Sequence, residues 1–236
     1  MKILLVGGSG RLGTELQRLR SFIVPSHSEM DITNPQQVEV YLSCKKFDLI
    51  VLAAAYTNVE GAEDNKEDCW KVNVEGTRNI ASFGIPVLYI STEYVFDGEK
   101  GNYTEEDEPN PINFYSYTKY QGELELPDNC KIIRTLFKPR PFEYAKAFID
   151  QWTSGDYVDV IAKEISKAIT LFDKLPRIIH IGTGRKSIFD LAMQTRNVEP
   201  IKRASVNTPL PKDCSLDCSV WKELIEKELE LYDPRS

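Results

Sequence analysis

Tyr115 and Lys119 lie four residues apart in Tyr115-Ser-Tyr-Thr-Lys119, a spacing that puts both side chains on one face of a helix. An ammonium in that position could stabilise a phenolate and lower a phenol pKa that is ordinarily about 10. Upstream, Ser91-Thr92 closes an apolar run, and the Thr92 hydroxyl could hold a carbonyl oxygen beside the phenol. Farther upstream stands Gly7-Gly-Ser-Gly10-Arg-Leu-Gly13, where glycines would allow a tight turn, close approach of backbone to a pyrophosphate, and close helix packing. Together these parts point to reduction of a carbonyl group by a bound dinucleotide. Plainer explanations stand beside each part. Any tyrosine and lysine can fall four apart, with Tyr117 and Tyr120 close by. A strand-end threonine can satisfy itself on backbone, and a glycine turn can simply join strand to helix. The order of the parts along the chain favours the site.

To work, these residues need a parallel sheet with helices on its faces, and the first half of the chain carries that alternation. Ile3 to Val6 reads as a first strand, Leu12 to Leu19 as a helix, Phe22 to Val24 as a second short strand, and Pro35 to Leu42 as a helix behind Asn34. Leu49 to Leu52, Val87 to Ile90 and Lys131 to Arg134 are buried-strand candidates. Lys66 to Ser82 and Tyr115 to Leu124 are helical between them. The segment from Asp97 to Phe114 reads as a long surface connection of the kind that often carries function. After Arg134 the pattern loosens. Lys138-Pro-Arg-Pro141 breaks it, helical periodicity returns near Phe142 to Trp152 and from Val158 to Phe172, Arg177 to Ile181 reads as a strand, and helices follow from Ser187 and from Val220 to Leu231. The expected fold class is α/β, a Rossmann-like doubly wound parallel sheet. Residues 1–135 form the dinucleotide-binding part, and residues 136–236 form a small substrate-binding or capping region interwoven with the sheet.

The cofactor cradle is expected at Gly7, Gly10, Arg11, Leu12 and Gly13. An acidic residue about 20 positions beyond the turn would bind the adenosine ribose of NAD. Val24-Pro-Ser-His-Ser28 has none before Glu29, which leans toward NADPH over NADH, with Arg11, Ser26 and His27 as neighbours of a 2′-phosphate. Asp31 and Ile32 fall where a loop could approach the adenine. Ala53, Ala54 and Ala55 allow a cofactor to lie close at a strand end, and they equally suit tight helix-sheet packing. Lys138 and Arg140 suit contact with a diphosphate, or a solvated basic loop.

The chain has 236 residues, 42% hydrophobic and 28% charged, enough for one large unit or two intimately packed ones. A net charge of −7 with both signs interspersed offers no basic stripe for nucleic acid. No apolar run reaches the roughly 20 residues that span a bilayer, and Met1 to Val6 lacks the features of a signal peptide, so the expected compartment is the cytoplasm. Cys44, Cys69, Cys130, Cys214 and Cys218 lack metal-ligand spacing and read as free thiols. Self-association as a homodimer is an expectation for a sheet enzyme with exposed helices.

With these parts in order the chain resembles the extended short-chain dehydrogenase/reductases. The words between them narrow the resemblance. Ala53-Ala-Ala-Tyr-Thr-Asn-Val59 with Ala62-Glu63, Asn73-Val-Glu-Gly76, Ser91-Thr-Glu-Tyr-Val-Phe-Asp-Gly98, Tyr103, Glu105-Glu-Asp107 and Asn110-Pro111 look like the dTDP-4-dehydrorhamnose reductase family. That resemblance covers about residues 1 to 135. It implies reduction of the 4-keto group of a nucleotide-linked 6-deoxyhexose, with Thr92, Tyr115 and Lys119 as the catalytic trio. It also implies Asn73 at the cofactor side organising the lysine, Tyr56, Tyr94 and Phe96 near the sugar, and Thr135 near the nicotinamide. Three departures stand out: Glu93 where the family pattern has Asp, Ser116 where it has Gly, and a short region after Arg134. The resemblance leaves two alternatives, a reductase of a UDP-linked 4-keto sugar and a non-catalytic NADP-binding subunit like the β subunit of a methionine adenosyltransferase.

Overall fold

Short aliphatic runs, buried at every position, make the first three strands of the central sheet: β1 (Ile3–Val6), β2 (Leu49–Leu52) and β3 (Val87–Ile90). The computed structural model describes residues 1–231. β4 (Lys131–Arg134) and β5 (Ile178–His180) complete five parallel strands in the order β1-β2-β3-β4-β5, in registers such as Ile3 with Leu49 and Ile133 with Ile179. At the free edge of β1, the expected strand over Phe22 to Val24 is a single bridge from Ile23 to Leu4. Pro25 follows at once and cannot donate a ladder bond. The chain thus leaves β1 toward Ile23 on one side and returns as β2 on the other, which opens a crevice at the C-terminal ends of these strands.

Strand alternation divides the core into two layers. Ile3, Leu5, Val51, Leu88, Ile133 and Ile179 pack with α1 (Arg11–Leu19). Leu4, Val6, Ile50, Leu52, Tyr89 and Ile132 pack on the opposite face with α2 (Pro35–Ser43). Asn34 caps α2 by accepting from the Gln36 and Gln37 amides. The region expected as one helix from Lys66 is interrupted. After α3 (Gly61–Asp64) and α4 (Lys66–Trp70), a π turn over Lys71–Glu75 precedes α5 (Gly76–Ala81). A π turn carries one residue more per turn than the α ladder, and Asn73 sits inside it. α6 (Phe114–Leu124), capped by Asn113 on the Ser116 amide at 2.9 Å, lies against this stretch. A Cβ on Gly122 would come within 2.5 Å of Asn73 O, so the two helical segments meet backbone to backbone.

The C-terminal part supplies β5 and α7 (Val158–Thr170), whose Ile161, Ile165 and Ile169 join the α1 layer, then α8 (Ile188–Met193) and α9 (Ser219–Leu231). Helical periodicity near Phe142 to Trp152 is not realised. Lys146–Phe148 runs as a strand beside Glu199–Ile201, and Trp152–Thr153 pairs with Lys186–Ser187. The apolar residues there serve tertiary partners, with Phe142 and Ala147 buried against Ile188, Leu191 and Ala192 of α8. Context of this kind overrides a weak local preference.

Where β3, β4 and α6 meet, a charged pair is buried. Arg134 reaches both Glu123 oxygens at 3.1 and 2.7 Å, Ser91 Oγ donates to Glu123 at 2.5 Å, and both charged side chains are at most 3% exposed. Removing one member leaves the other charge unpaired in the interior, which typically costs 3–5 kcal/mol. Glu123→Ala is therefore expected to lower stability by about that amount in urea unfolding. An unchanged midpoint would show that the pair does not hold this junction.

Candidate active site

A cavity of about 1560 Å³ runs along the C-terminal ends of β1 to β4, from the glycine turn past Tyr115 to Gln151 and Leu210. Its cofactor-side wall is built by close approach. Gly7 has φ +89°, and a Cβ there would come 2.5 Å from Ala54 N; a Cβ on Gly13 would come 2.4 Å from Gly7 O. These two positions hold the turn against β2 and α1 and leave no room for a larger residue. Gly10 caps α1 without any side-chain bond, so the amides of the first turn are left for a ligand. Thr135 adds a second sign of fit: it lines the cavity and its hydroxyl is buried with no partner. The wall is thus suited to the phosphates and amide of a nicotinamide dinucleotide.

Most of the expected residues come together on this wall. Gly7, Gly10, Arg11, Leu12, Gly13, His27, Asp31, Ile32, Ala53 to Ala55, Tyr56, Thr92, Tyr94, Tyr115, Lys119 and Thr135 all border the cavity. Ala53 and Ala54 also pack against the two core layers, so the packing explanation and the site explanation both apply. Besides Arg140, three expected residues do not reach the wall. Ser26 turns its hydroxyl onto Glu29 at 2.8 Å. Phe96 is fully buried, stacked on Tyr103 at 4.2 Å, because the long connection after Asp97 folds back onto it. Asn73 accepts from Tyr56 N at 2.8 Å and donates to Thr118 Oγ1 at 2.9 Å. It ties the loop after β2 to α6, and its hydrogen bonds go to Tyr56, Cys69 and Thr118 and not to the lysine. Arg11 borders the cavity but directs its guanidinium to both oxygens of Glu143 at 2.7 Å.

The three reactive groups come from two elements. Thr92 lies two residues past β3 and caps the short 3-10 turn Glu93–Val95, accepting from Tyr94 N at 3.2 Å; its own proton stays free to donate. Of the competing tyrosines on α6, Tyr117 is exposed and neither it nor Tyr120 borders the cavity, which leaves Tyr115 on the wall. Lys119 Nζ donates to Ile90 O at 2.8 Å and lies 4.0 Å from the Tyr89 ring centroid. The expected lowering of the phenol pKa is not what the structure shows. Burial pushes Tyr115 up to about 12, with Thr92 pulling the other way, while burial draws Lys119 down to about 7 against the opposing pull of Glu123. Desolvation outweighs the helix-face pairing on which the expectation rested.

The far end of the cavity has walls that local spacing did not reveal. Phe148, Gln151, Ile201 and Leu210 come from the segments after Arg134, and Gln151 Nε2 donates to Tyr94 Oη at 2.9 Å. Only a contact 57 residues apart in the chain marks Gln151, so no sequence window contains the signal.

Fold and site define a doubly wound α/β protein of the short-chain dehydrogenase/reductase type, with a dinucleotide crevice and a Tyr-Lys helix across from it. The sequence pattern of the RmlD substrate binding domain matches residues 1–180. A dTDP-4-dehydrorhamnose reductase of Aggregatibacter actinomycetemcomitans is 33% identical over a 180-residue alignment that covers 70% of this chain and 61% of that protein. A hypothetical dTDP-4-dehydrorhamnose reductase from Sulfolobus tokodaii superposes with a TM-score of 0.82 at 33% identity, over 95% of this chain and 94% of that one. A dTDP-4-dehydrorhamnose reductase from Bacillus anthracis, in complex with NADP, superposes with a TM-score of 0.81 at 27% identity, over 95% and 92%. The chain belongs to the dTDP-4-dehydrorhamnose reductase family. Among the described residues no helix is long and apolar enough to cross a membrane.

Glu93, which stands where the family pattern has Asp, is completely buried beside this site, and neither carboxyl oxygen has a partner. Burial pushes its pKa up to about 8. The folded state therefore keeps a proton that the unfolded chain releases near the ordinary carboxyl value of about 4.3. The stability this provides is complete below that value and is lost as pH rises through about 8. Glu93→Gln, which cannot ionise, is expected to lose less stability than the parent between pH 5 and pH 9 in thermal unfolding. Parallel pH profiles for the two proteins would refute the assignment.

Proposed function

We propose that this protein reduces the 4-keto group of a nucleotide-linked 6-deoxyhexose with NADPH, as its similarity to dTDP-4-dehydrorhamnose reductases suggests. The observation that carries the reading is that Thr92, Tyr115 and Lys119 converge on the same cavity as the glycine turn. The turn amides at Gly10 to Gly13, Ala53 to Ala55 and Thr135 would hold the dinucleotide, which when bound supplies a hydride for the ketone carbon.

Each residue then has a task set by its surroundings. Tyr115, pushed up to about 12, keeps its proton at neutral pH and passes it to the oxygen as charge develops there, so that a hydroxyl results. Thr92 has its acceptor side engaged by Tyr94 N and donates its proton to the same oxygen. Lys119, one helical turn from the tyrosine on α6, is fixed by Ile90 O, and its charged form would steady the phenolate left behind. Tyr56 and Tyr94 flank the sugar end, and a cavity open as far as Gln151 and Leu210 favours turnover over a purely regulatory role.

Incubation with NADPH and dTDP-4-dehydro-6-deoxy-L-mannose, or its UDP counterpart, is expected to oxidise NADPH. Tyr115→Phe should lower kcat by about 10²- to 10⁴-fold while NADPH still binds in a fluorescence titration. Turnover that survives the substitution would remove Tyr115 from the acid's role, and tight NADPH binding with no turnover of either sugar would defeat the reductase reading.

A further inference from the structure

Five lysine and arginine side chains border the large cavity, and four of them are already engaged. Arg11 holds Glu143, Lys71 pairs with Glu67 at 2.7 Å, Lys146 lies 3.5 Å from Glu199, and Lys119 donates to Ile90 O. Among the described residues, Lys138 is the one cation on this wall whose ammonium has neither a hydrogen bond nor an ion pair. The sequence treats Lys138 and Arg140 as equivalent, and the structure separates them. Arg140 donates to Asp159 at 2.9 Å, lies 4.3 Å from the Tyr157 ring centroid, and stands off the cavity wall.

Lys138 is held firmly where it is. It ends the two-residue strand Phe137–Lys138, which pairs in parallel with Asp156–Tyr157, and Pro139 follows. Burial disfavours its charge, Glu93 and Glu143 act in favour of it, and Arg11 acts against it. Neither serves as a counter-ion: Glu93, pushed up to about 8, is mainly protonated at neutral pH, and Glu143 is bound to Arg11. A half-buried ammonium with no protein partner, on the wall of a cavity this large, is placed to meet an anion bound there.

We propose that Lys138 is the recognition cation for a nucleotide diphosphate group in this cavity, supplied either by the cofactor's pyrophosphate or by the diphosphate of the sugar nucleotide. This rests on reading the cavity as a nucleotide site and not on which sugar is reduced. Lysine binds phosphate as a point charge, so removing it should weaken the ligand it meets by about tenfold or more.

Calorimetric titration of the parent, Lys138→Met and Lys138→Arg with NADPH, and with dTDP in the presence of saturating NADP, tests the assignment. Loss of NADPH affinity in Lys138→Met, largely restored in Lys138→Arg, supports contact with the cofactor's pyrophosphate; the same pattern for dTDP supports contact with the sugar nucleotide. Unchanged affinity for both ligands in Lys138→Met overturns the proposal, and so does equal loss in the arginine variant, because a purely structural role would not follow charge. A parent protein that shows these effects but turns over neither sugar would fail the reductase reading and leave the Lys138 assignment standing.

Discussion

The site depends on a pair of charges that water cannot reach. Arg134 at the end of β4 and Glu123 on α6 meet at 2.7 Å with almost no exposure, and Ser91 at the end of β3 joins them. The ends of two strands and the last turn of the helix between them are thereby held at one depth. Separating such a pair strands a charge in the interior, so α6 cannot slide along the sheet without a large penalty. Tyr115 and Lys119 ride on α6, Thr92 follows Ser91, and Thr135 follows Arg134. One buried contact therefore fixes the relative positions of every group assigned to the chemistry.

Desolvation then sets the charge states. The same burial that pushes Tyr115 up to about 12 draws Lys119 down to about 7 and pushes Glu93 up to about 8. A phenol that keeps its proton at neutral pH is suited to donate it, and a lysine near its midpoint responds strongly to any anion brought close. Helix-face spacing alone suggests mutual stabilisation of Tyr115 and Lys119. The ammonium is instead held by a backbone carbonyl, Ile90 O.

The segments after Arg134 close the far end of the cavity. Two-residue ladders replace longer elements there, and Tyr94 is steadied by Gln151 across the gap. The long connection after Asp97 has a related structural task. Its Tyr103 stacks on Phe96 and bonds with Ser215 and Asp217 backbone, pinning the C-terminal segment beneath the site, so Phe96 belongs to the core and not to the sugar.

Local physics made much of this legible in the sequence. Aliphatic runs of four residues make buried parallel strands, glycines at Gly7 and Gly13 are required where backbone meets backbone, and the caps at Asn34 and Ser187 start their helices where expected. The order of glycine turn, Ser91-Thr92 and Tyr115/Lys119 was enough to place one crevice, because the ends of parallel strands converge on it. What the tertiary structure alone decided depends on partners distant in the chain. It put a short strand, Lys146–Phe148, beside Glu199–Ile201 where helical periodicity pointed to a helix, moved Ser26, Asn73 and Phe96 off the wall, and separated Lys138 from Arg140. It also set the protonation of Tyr115, Lys119 and Glu93. Burial and long-range pairing have no counterpart in residue spacing, since both arise only once the chain has closed around its core.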